Sequence, residues 1–247
     1  MAVVRVREQE RLFDGLLRTA RDDRMLALVS GEAGVGKSHT IELLAAEAVA
    51  RGFGVAVGRC FADARQRPFA PWLELLGASS NEIAGRPGEP FGSGDIRVQA
   101  FERLLAALVE RAAMQPLLAV IEDLQWADAD SLDLLLHVVR FGRASALFLV
   151  LTLRTNDLDT VRNARLDEVL AELARAGLET IALKPFGLEE VTAYTSALTG
   201  ANAPQALARS IASLTGGNAL YVRELVRHMM EEGKLRLREV GRDAAVP

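Results

Sequence analysis

The chain has 247 residues, of which half are apolar and a quarter are charged, and its formal net charge is −4. These values suit one α/β domain with a smaller attachment, and the negative charge argues against broad nucleic-acid binding. A single cysteine, Cys60, excludes an internal disulfide and a cysteine-built zinc site, and its position at the end of an apolar run favours a core role.

Apolar periodicity predicts strands that alternate with helices along most of the chain. Apolar-rich segments predict strands at 25–30, 55–60, 117–122, 146–153 and 179–185, of which 117–122 begins as an unbroken apolar run. Apolar residues at helical spacing predict helices at 8–20, 37–51, 71–76, 97–112, from 131 onwards, and at 164–176. The Pro- and Gly-rich region 61–96 is interpreted as an insertion or loop zone around its short helix. This alternation predicts an α/β fold with a doubly wound, parallel, five-stranded sheet.

Only helices are predicted after Phe186, at 188–198, 204–214 and 218–232. The switch from alternating elements to helices alone predicts two domains. The first is an α/β domain at 1–186, and the second is a small helical lid domain at 187–247.

The segment 31–38 reads GEAGVGKS and matches the phosphate-binding P-loop motif, between a predicted strand and a predicted helix. Glycines let such a loop aim its N–H groups at phosphate, and the following helix adds its positive end. Lys37 is expected to reach the β- and γ-phosphates, and Ser38 to ligate Mg²⁺. The residues expected to surround ATP or ADP are Gly31, Glu32, Ala33, Gly34, Val35, Gly36, Lys37, Ser38 and His39. His39 can alternatively be a solvated helix residue.

Two acids, Glu122 and Asp123, follow directly on the apolar run 117–121. This is the Walker B arrangement, with carboxylates at the sheet edge where ligands bind. One acid is expected to hold Mg²⁺ beside Ser38, and the other to polarise the water that attacks the γ-phosphate. Which acid has which role stays open. Neighbouring residues of a straight strand face opposite ways, so both acids face a ligand only if the strand ends there.

Arg154 closes the predicted strand 146–153, which is expected to lie between the P-loop strand and the Walker B strand. We expect Arg154, rather than Thr152, to sense the γ-phosphate, because a guanidinium binds phosphate well. The alternative is a surface arginine at a strand end. Asp128 and Asp130 are expected to cap the helix that follows.

Several segments together resemble the ATPase module of bacterial STAND-type proteins, within the AAA+-like P-loop ATPases. Within that group the segments look like those of the large ATP-binding LuxR-type transcription regulators and similar adenylate-cyclase-linked proteins. The segments that carry the resemblance are VRVREQERL at 4–12, SGEAGVGKS at 30–38, RCFADARQRPFAPWLELL at 59–76, VIEDLQWADADSLDLL at 120–135, LVLTLR at 149–154 and GGNALYVRELV at 216–226.

The resemblance implies further nucleotide contacts. Arg7 and Glu10 match a motif that lies against the adenine, and Val6 replaces its usual glycine. A family turn that touches the nucleotide reads Gly217-Asn218-Ala219 here, with alanine in place of proline.

The resemblance also implies a regulatory switch, which ADP holds closed and ATP opens for self-association. Downstream sensor repeats and a DNA-binding domain are expected in such proteins and are absent from this sequence. The chain is therefore expected to stop before a winged-helix segment. The charged start and the lack of an apolar run of about 18 residues indicate neither a signal peptide nor a membrane span, so a cytoplasmic location is expected.

The sequence is compatible with three functions. The first is a slow, Mg²⁺-dependent ATPase that acts as a signalling switch. The second is a nucleotide-binding interaction module with negligible hydrolysis. The third is an AAA+ relative that acts on DNA, against which the net charge of −4 argues.

Overall fold

A computed structural model describes residues 5–21, 24–62, 68–77, 94–142, 146–155 and 164–233, without the side chains of 94–96. Its strands are β1 Met25–Gly31, β2 Gly54–Arg59, β3 Leu117–Glu122, β4 Leu147–Arg154 and β5 Glu179–Ala182. Its helices are α1 Val6–Thr19, α2 Lys37–Ala50, α3 Ala70–Leu76, α4 Gly94–Met114, α5 Ala129–Phe141, α6 Ala164–Arg175, α7 Leu188–Thr199, α8 Gln205–Thr215 and α9 Ala219–Glu231.

The five strands form one parallel sheet in the order β2-β3-β4-β1-β5. The predicted α/β fold and the predicted place of β4, between β1 and β3, are therefore confirmed. Because β4 lies beside β1, Arg154 pairs in register with Gly31, the first residue of the P-loop motif. The sheet thus brings the ends of β1, β3 and β4 to one edge.

The last strand is shorter than predicted and ends at Ala182 rather than at 185. Its final partner on β1 is Ser30, one residue before β1 ends and the chain turns into the loop. Pro185 also has no N–H to give to a ladder. The strand β5 therefore ends one residue before its neighbour β1 does.

The region 61–96 contains the predicted short helix as α3, while 63–67 and 78–93 lie outside the described residues. Trp72 of α3 is buried and donates from Nε1 to the carbonyl oxygen of Ser131 at 3.1 Å. Cys60 is buried in the same core, as predicted. Burial, with Asp128 and Asp123 nearby, raises the pKa of its thiol to about 12, so the thiol stays protonated and unreactive at neutral pH.

Only one of the two predicted caps of α5 is formed. Asp128 is the N-cap and accepts hydrogen bonds from the backbone N–H of Ser131 at 2.9 Å and from its hydroxyl at 2.6 Å. The prediction for Asp130 was wrong, because the helix begins at Ala129 and places Asp130 in its first turn. There Asp130 pairs with Arg97 at 2.7 Å.

We expect Asp128→Ala to lower the free energy of unfolding by about 1 kcal/mol, because it removes the N-cap acceptor of α5. Urea unfolding monitored by circular dichroism measures this change. Asp128→Asn is the control, since asparagine keeps an acceptor oxygen and is expected to stay close to the parent. Equal losses in both variants would show that the charge of Asp128 matters rather than its capping bond.

The described residues separate into two compact units. One comprises 10–31 and 37–182 and holds the sheet; the other comprises 5–9, 32–36 and 183–233. The second unit contains α7, α8 and α9 around its own apolar core of Val191, Ala208, Ile211, Val222 and Val226. Within the described part of the chain, no helix is long and apolar enough to cross a membrane.

Candidate functional site

The P-loop motif has the backbone that phosphate binding requires. The chain leaves β1 at Gly31 and enters α2 at Lys37, so the loop is a strand-to-helix connection. Gly34 has φ of 76°, and a Cβ at this position would lie 2.7 Å from Oδ1 of Asn218. Only glycine fits both the conformation and the space.

The side chains around the loop differ in exposure. Lys37 is buried, at 7% exposure, and its Nζ donates to the carbonyl oxygen of Gly31 at 2.8 Å. Ser38 is exposed at the start of α2. His39 is also exposed, with Nδ1 3.5 Å from a carboxylate oxygen of Glu42, as a solvated helix residue would be. Lys37 is therefore bonded to the residue at which the loop begins, and the side chain of Ser38 is accessible to ligands.

Three successive carbonyl groups of the loop accept hydrogen bonds from residues far away in sequence. Asn218 Nδ2 donates to the oxygen of Ala33 at 2.8 Å, and the N–H of Leu220 donates to that of Gly34 at 3.0 Å. Arg5 Nη2 donates to the oxygen of Val35 at 2.7 Å. The outward side of the loop is therefore fixed by donors.

Sequence reasoning did not single out Arg5, although the residue lies within the segment 4–12 that carries the resemblance. The side chain is buried, also donates to the carbonyl oxygen of Lys184 at 2.8 Å, and lies 4.8 Å from the ring centre of Phe186. Burial lowers the pKa of its guanidinium, although Glu190 and Glu8 oppose that shift. The predicted Arg7, by contrast, is exposed. The position of Arg5, directly before the motif at 6–10, was its signal in the sequence.

The Walker B strand ends at Glu122, as the predicted roles of the two acids require. Asp123 leaves the strand with φ of 58°, a left-handed conformation rare outside glycine. Its backbone N–H donates to the buried hydroxyl of Thr152 at 2.9 Å. The turn therefore frees the two carboxylates from the opposite-face rule of a straight strand.

Both acids are paired with arginine. Asp123 receives a bidentate contact from Arg154, with Nε at 2.9 Å and Nη2 at 2.8 Å. Glu122 pairs with Nε of Arg59 at 2.8 Å. Sequence reasoning placed Arg154 at this edge but did not foresee either ion pair.

Gln125 links the two partners of the first pair. Its Nε2 donates to Oδ1 of Asp123 at 3.2 Å, and its Oε1 accepts from the backbone N–H of Arg154 at 3.0 Å. The side chain is buried at 1% exposure. Gln125 therefore fixes the end of β4 against the turn that carries Asp123.

The donor set fits a nucleotide with a hard cation. Ser38, Glu122 and Asp123 supply oxygen ligands, which Mg²⁺ prefers. Among the described residues, no group of three or more His, Cys, Asp or Glu side chains is arranged to hold a metal by itself. Such an edge suits Mg²⁺ that takes most of its ligands from phosphate and water.

Comparison with known proteins gives a family and a fold. A family model described as an AAA ATPase domain matches residues 2–151. No curated protein matches the chain in sequence. Two variant structures of RuvB from Thermotoga maritima match with TM-scores of 0.55 and 0.57 at 15% and 13% identity. ORC2 from Aeropyrum pernix, as ADPNP–ADP complexes, matches with a TM-score of 0.49 and 16% identity, over 93% of this chain and 69% of that one.

Each RuvB match covers 95% of this chain but 66% of the RuvB chain. The chain thus spans slightly less than two thirds of the length of these proteins. At this level of identity, the similarity establishes the fold and says nothing of substrate.

Proposed function

We infer the function of this chain from the AAA ATPase domain family, to which it belongs through residues 2–151. That membership makes it an ATPase-like nucleotide-binding module. We propose further that it hydrolyses ATP slowly with Mg²⁺ and serves as a STAND-type regulatory switch of a LuxR-like transcription regulator. The observation that carries the slow hydrolysis is the bidentate pair between Asp123 and Arg154.

The P-loop residues bind and orient the phosphates in this proposal. Lys37 turns its ammonium from the Gly31 carbonyl to the β- and γ-phosphates, where a charge-assisted bond is stronger. The N–H groups of the loop add donors that need no reorganisation. Mg²⁺, when bound, neutralises developing negative charge on the phosphates. Ser38 and one of the two acids hold that ion.

The remaining acid positions the attacking water and accepts its proton. Asp123 is the favoured base, because its turn directs the carboxylate off the strand and Gln125 holds it. While Arg154 occupies both of its oxygens, the carboxylate is a poor base. Hydrolysis then needs Arg154 to leave Asp123, and the γ-phosphate is the anion that can draw it away.

A single-turnover ATPase assay tests the proposal. We expect Mg²⁺-dependent release of phosphate from the parent protein and none from Lys37→Ala. Omission of Mg²⁺ is the second control. Phosphate release that Lys37→Ala leaves unchanged would assign hydrolysis to a contaminant or to another site.

The switch proposal predicts nucleotide-dependent proteolysis. A ligand shifts a conformational equilibrium only through contacts that differ between states, and Arg154 is the residue proposed to detect the γ-phosphate. We expect ATP to change cleavage around residues 184–190 relative to ADP, and Arg154→Ala to abolish that difference. Limited proteolysis with mass spectrometry measures the cleavage sites. Identical digests with ATP, ADP and no nucleotide would reject the switch.

A module with negligible hydrolysis is the second candidate, and one observation favours it. Both Walker B acids are already neutralised by arginines, Glu122 by Arg59 and Asp123 by Arg154. If these pairs persist with ATP bound, the chain binds nucleotide and signals through occupancy alone. Parent protein that binds ATP in calorimetry but releases no phosphate would select this candidate.

A further inference from the structure

We propose that Asn218 and Arg5 are positioning residues for phosphate binding. They hold the outward carbonyl groups of the P-loop, and so set the direction of the N–H groups that meet the phosphates. The first turn of α9 thereby controls how well the loop binds phosphate. This inference rests on the proposed function and adds to it the residues that shape its loop.

The planar peptide group couples each carbonyl group of the loop to the N–H group that follows it. In a trans peptide, the C=O of one residue and the N–H of the next point in opposite directions. Donors on the oxygens of Ala33, Gly34 and Val35 therefore turn the next N–H groups, at 34–36, away from those donors. The N–H of Val35 accordingly donates across the loop to the oxygen of Glu32 at 3.3 Å. A nest of backbone N–H groups is formed by such fixed peptide planes.

Asn218 performs two tasks through two separate atoms of its side chain. Its Oδ1 caps α9 by accepting from the N–H groups of Leu220 at 3.1 Å and Tyr221 at 3.5 Å. Its Nδ2 is then directed at the oxygen of Ala33. Asp, Ser and Thr also cap helices, but none combines an acceptor with a separate amide donor.

A rigid turn places Asn218 against the loop. Gly217 has φ of 76°, and a Cβ there would lie 2.2 Å from the carbonyl oxygen of Phe186. The N–H of Phe186 donates to the oxygen of Gly217 at 2.8 Å. Phe186 therefore holds the turn in place, and Gly34 lies close to the side chain of Asn218.

Arg5 holds a different carbonyl group of the loop, that of Val35. Its guanidinium spans the oxygens of Val35 and Lys184 and lies over Phe186, so it joins the loop to the same segment that pins Gly217. Its backbone has φ of 73°, which is unusual for arginine. A planar fork with several donors can reach two carbonyl groups at once, which a lysine ammonium on a flexible stem does less well.

The decisive variant is Asn218→Ser, which keeps a good N-cap and a neutral side chain but replaces the amide that donates to Ala33 with a shorter hydroxyl. The probes are ATP and Mg²⁺-tripolyphosphate, each titrated directly into the protein by isothermal calorimetry. We expect the dissociation constants of both probes to rise about two- to tenfold, which is the scale of one lost hydrogen bond. The unfolding midpoint without ligand is expected to stay unchanged, because the cap remains. A structural defect alone would lower that midpoint.

Arg5→Lys is expected to weaken the binding of both ATP and tripolyphosphate. Arg209→Gln is the matched control, since Arg209 is exposed on α8, where its Nη2 donates to Oε1 of Gln205 at 3.0 Å. Weaker binding of ATP with unchanged binding of tripolyphosphate would assign the effect of Asn218 to the nucleoside. That result would overturn the inference. So would unchanged affinity for both probes. Parent protein that binds neither probe would instead refute the proposed nucleotide function.

Discussion

Lys37→Ala is expected to weaken ATP binding about ten- to a hundredfold, because a charge-assisted bond to phosphate contributes about 1.5–3 kcal/mol. Lys37 is buried and is bonded to the oxygen of Gly31, so its ammonium is already held at the loop before a phosphate arrives. A group held in place loses little freedom when it binds. Isothermal titration calorimetry with ATP and Mg²⁺ measures the change.

The chain offers a matched control in Lys184, whose side chain is exposed. Lys184→Ala removes the same charge and the same side chain, but we place it outside the phosphate site. Its ATP affinity is expected to stay near that of the parent, within about twofold after correction for long-range charge effects. Equal losses in the two variants would mean that Lys37 acts only through net charge. The assignment of the P-loop as the phosphate site would then fail.

The parts of this site that follow from local sequence were predicted well. The spacing GEAGVGKS fixes a loop between a strand and a helix, and the apolar run before Glu122 fixes a buried strand that ends at that acid. These patterns need only nearby residues, since backbone geometry and burial periodicity determine them. The order of β1, β3 and β4 was also predicted, because the P-loop fold class leaves few arrangements.

The partners of the site residues could not be predicted in the same way. Arg59 and Glu122 are 63 positions apart, Arg154 and Asp123 are 31 apart, and Asn218 and Ala33 are 185 apart. Nothing in the motif spacing selects one arginine among many for each acid. The choice is made by strand register and by the turns at strand ends, which exist only once the sheet has formed. A motif therefore identifies the residues that can do chemistry, whereas the fold determines which of them are held in ion pairs.

The pair between Asp123 and Arg154 gives the second large expected effect. Asp123→Asn is expected to leave ATP binding within a few fold and to lower turnover by about 10²-fold or more, the usual contribution of a general base. Asparagine keeps the shape and one acceptor oxygen, so Gln125 can still bond it. It cannot take a proton or attract the guanidinium of Arg154 as a carboxylate does. Single-turnover hydrolysis and calorimetry on the same preparation separate the two quantities.

Asp133 supplies the control for a purely structural effect of losing an ion pair. Asp133 also accepts from arginines, with Nε of Arg165 at 2.8 Å and with Arg97, but it lies on α5 and has no place in the proposed chemistry. Asp133→Asn is therefore expected to change stability without a large change in turnover. If both variants lose turnover equally, the effect of Asp123 is structural.

Glu122→Gln decides between the two acids. Glu122 is still on β3, whereas Asp123 leaves the strand at a turn, so Glu122 is the better candidate to act near the metal and Asp123 to take a proton. We expect Glu122→Gln to raise the Mg²⁺ concentration needed for half-maximal turnover, and Asp123→Asn to lower turnover even at saturating Mg²⁺. The reverse pattern would exchange the two roles. Normal turnover in both variants would remove hydrolysis from this edge, and the arginine pairs would then be the mark of a module that binds ATP without consuming it.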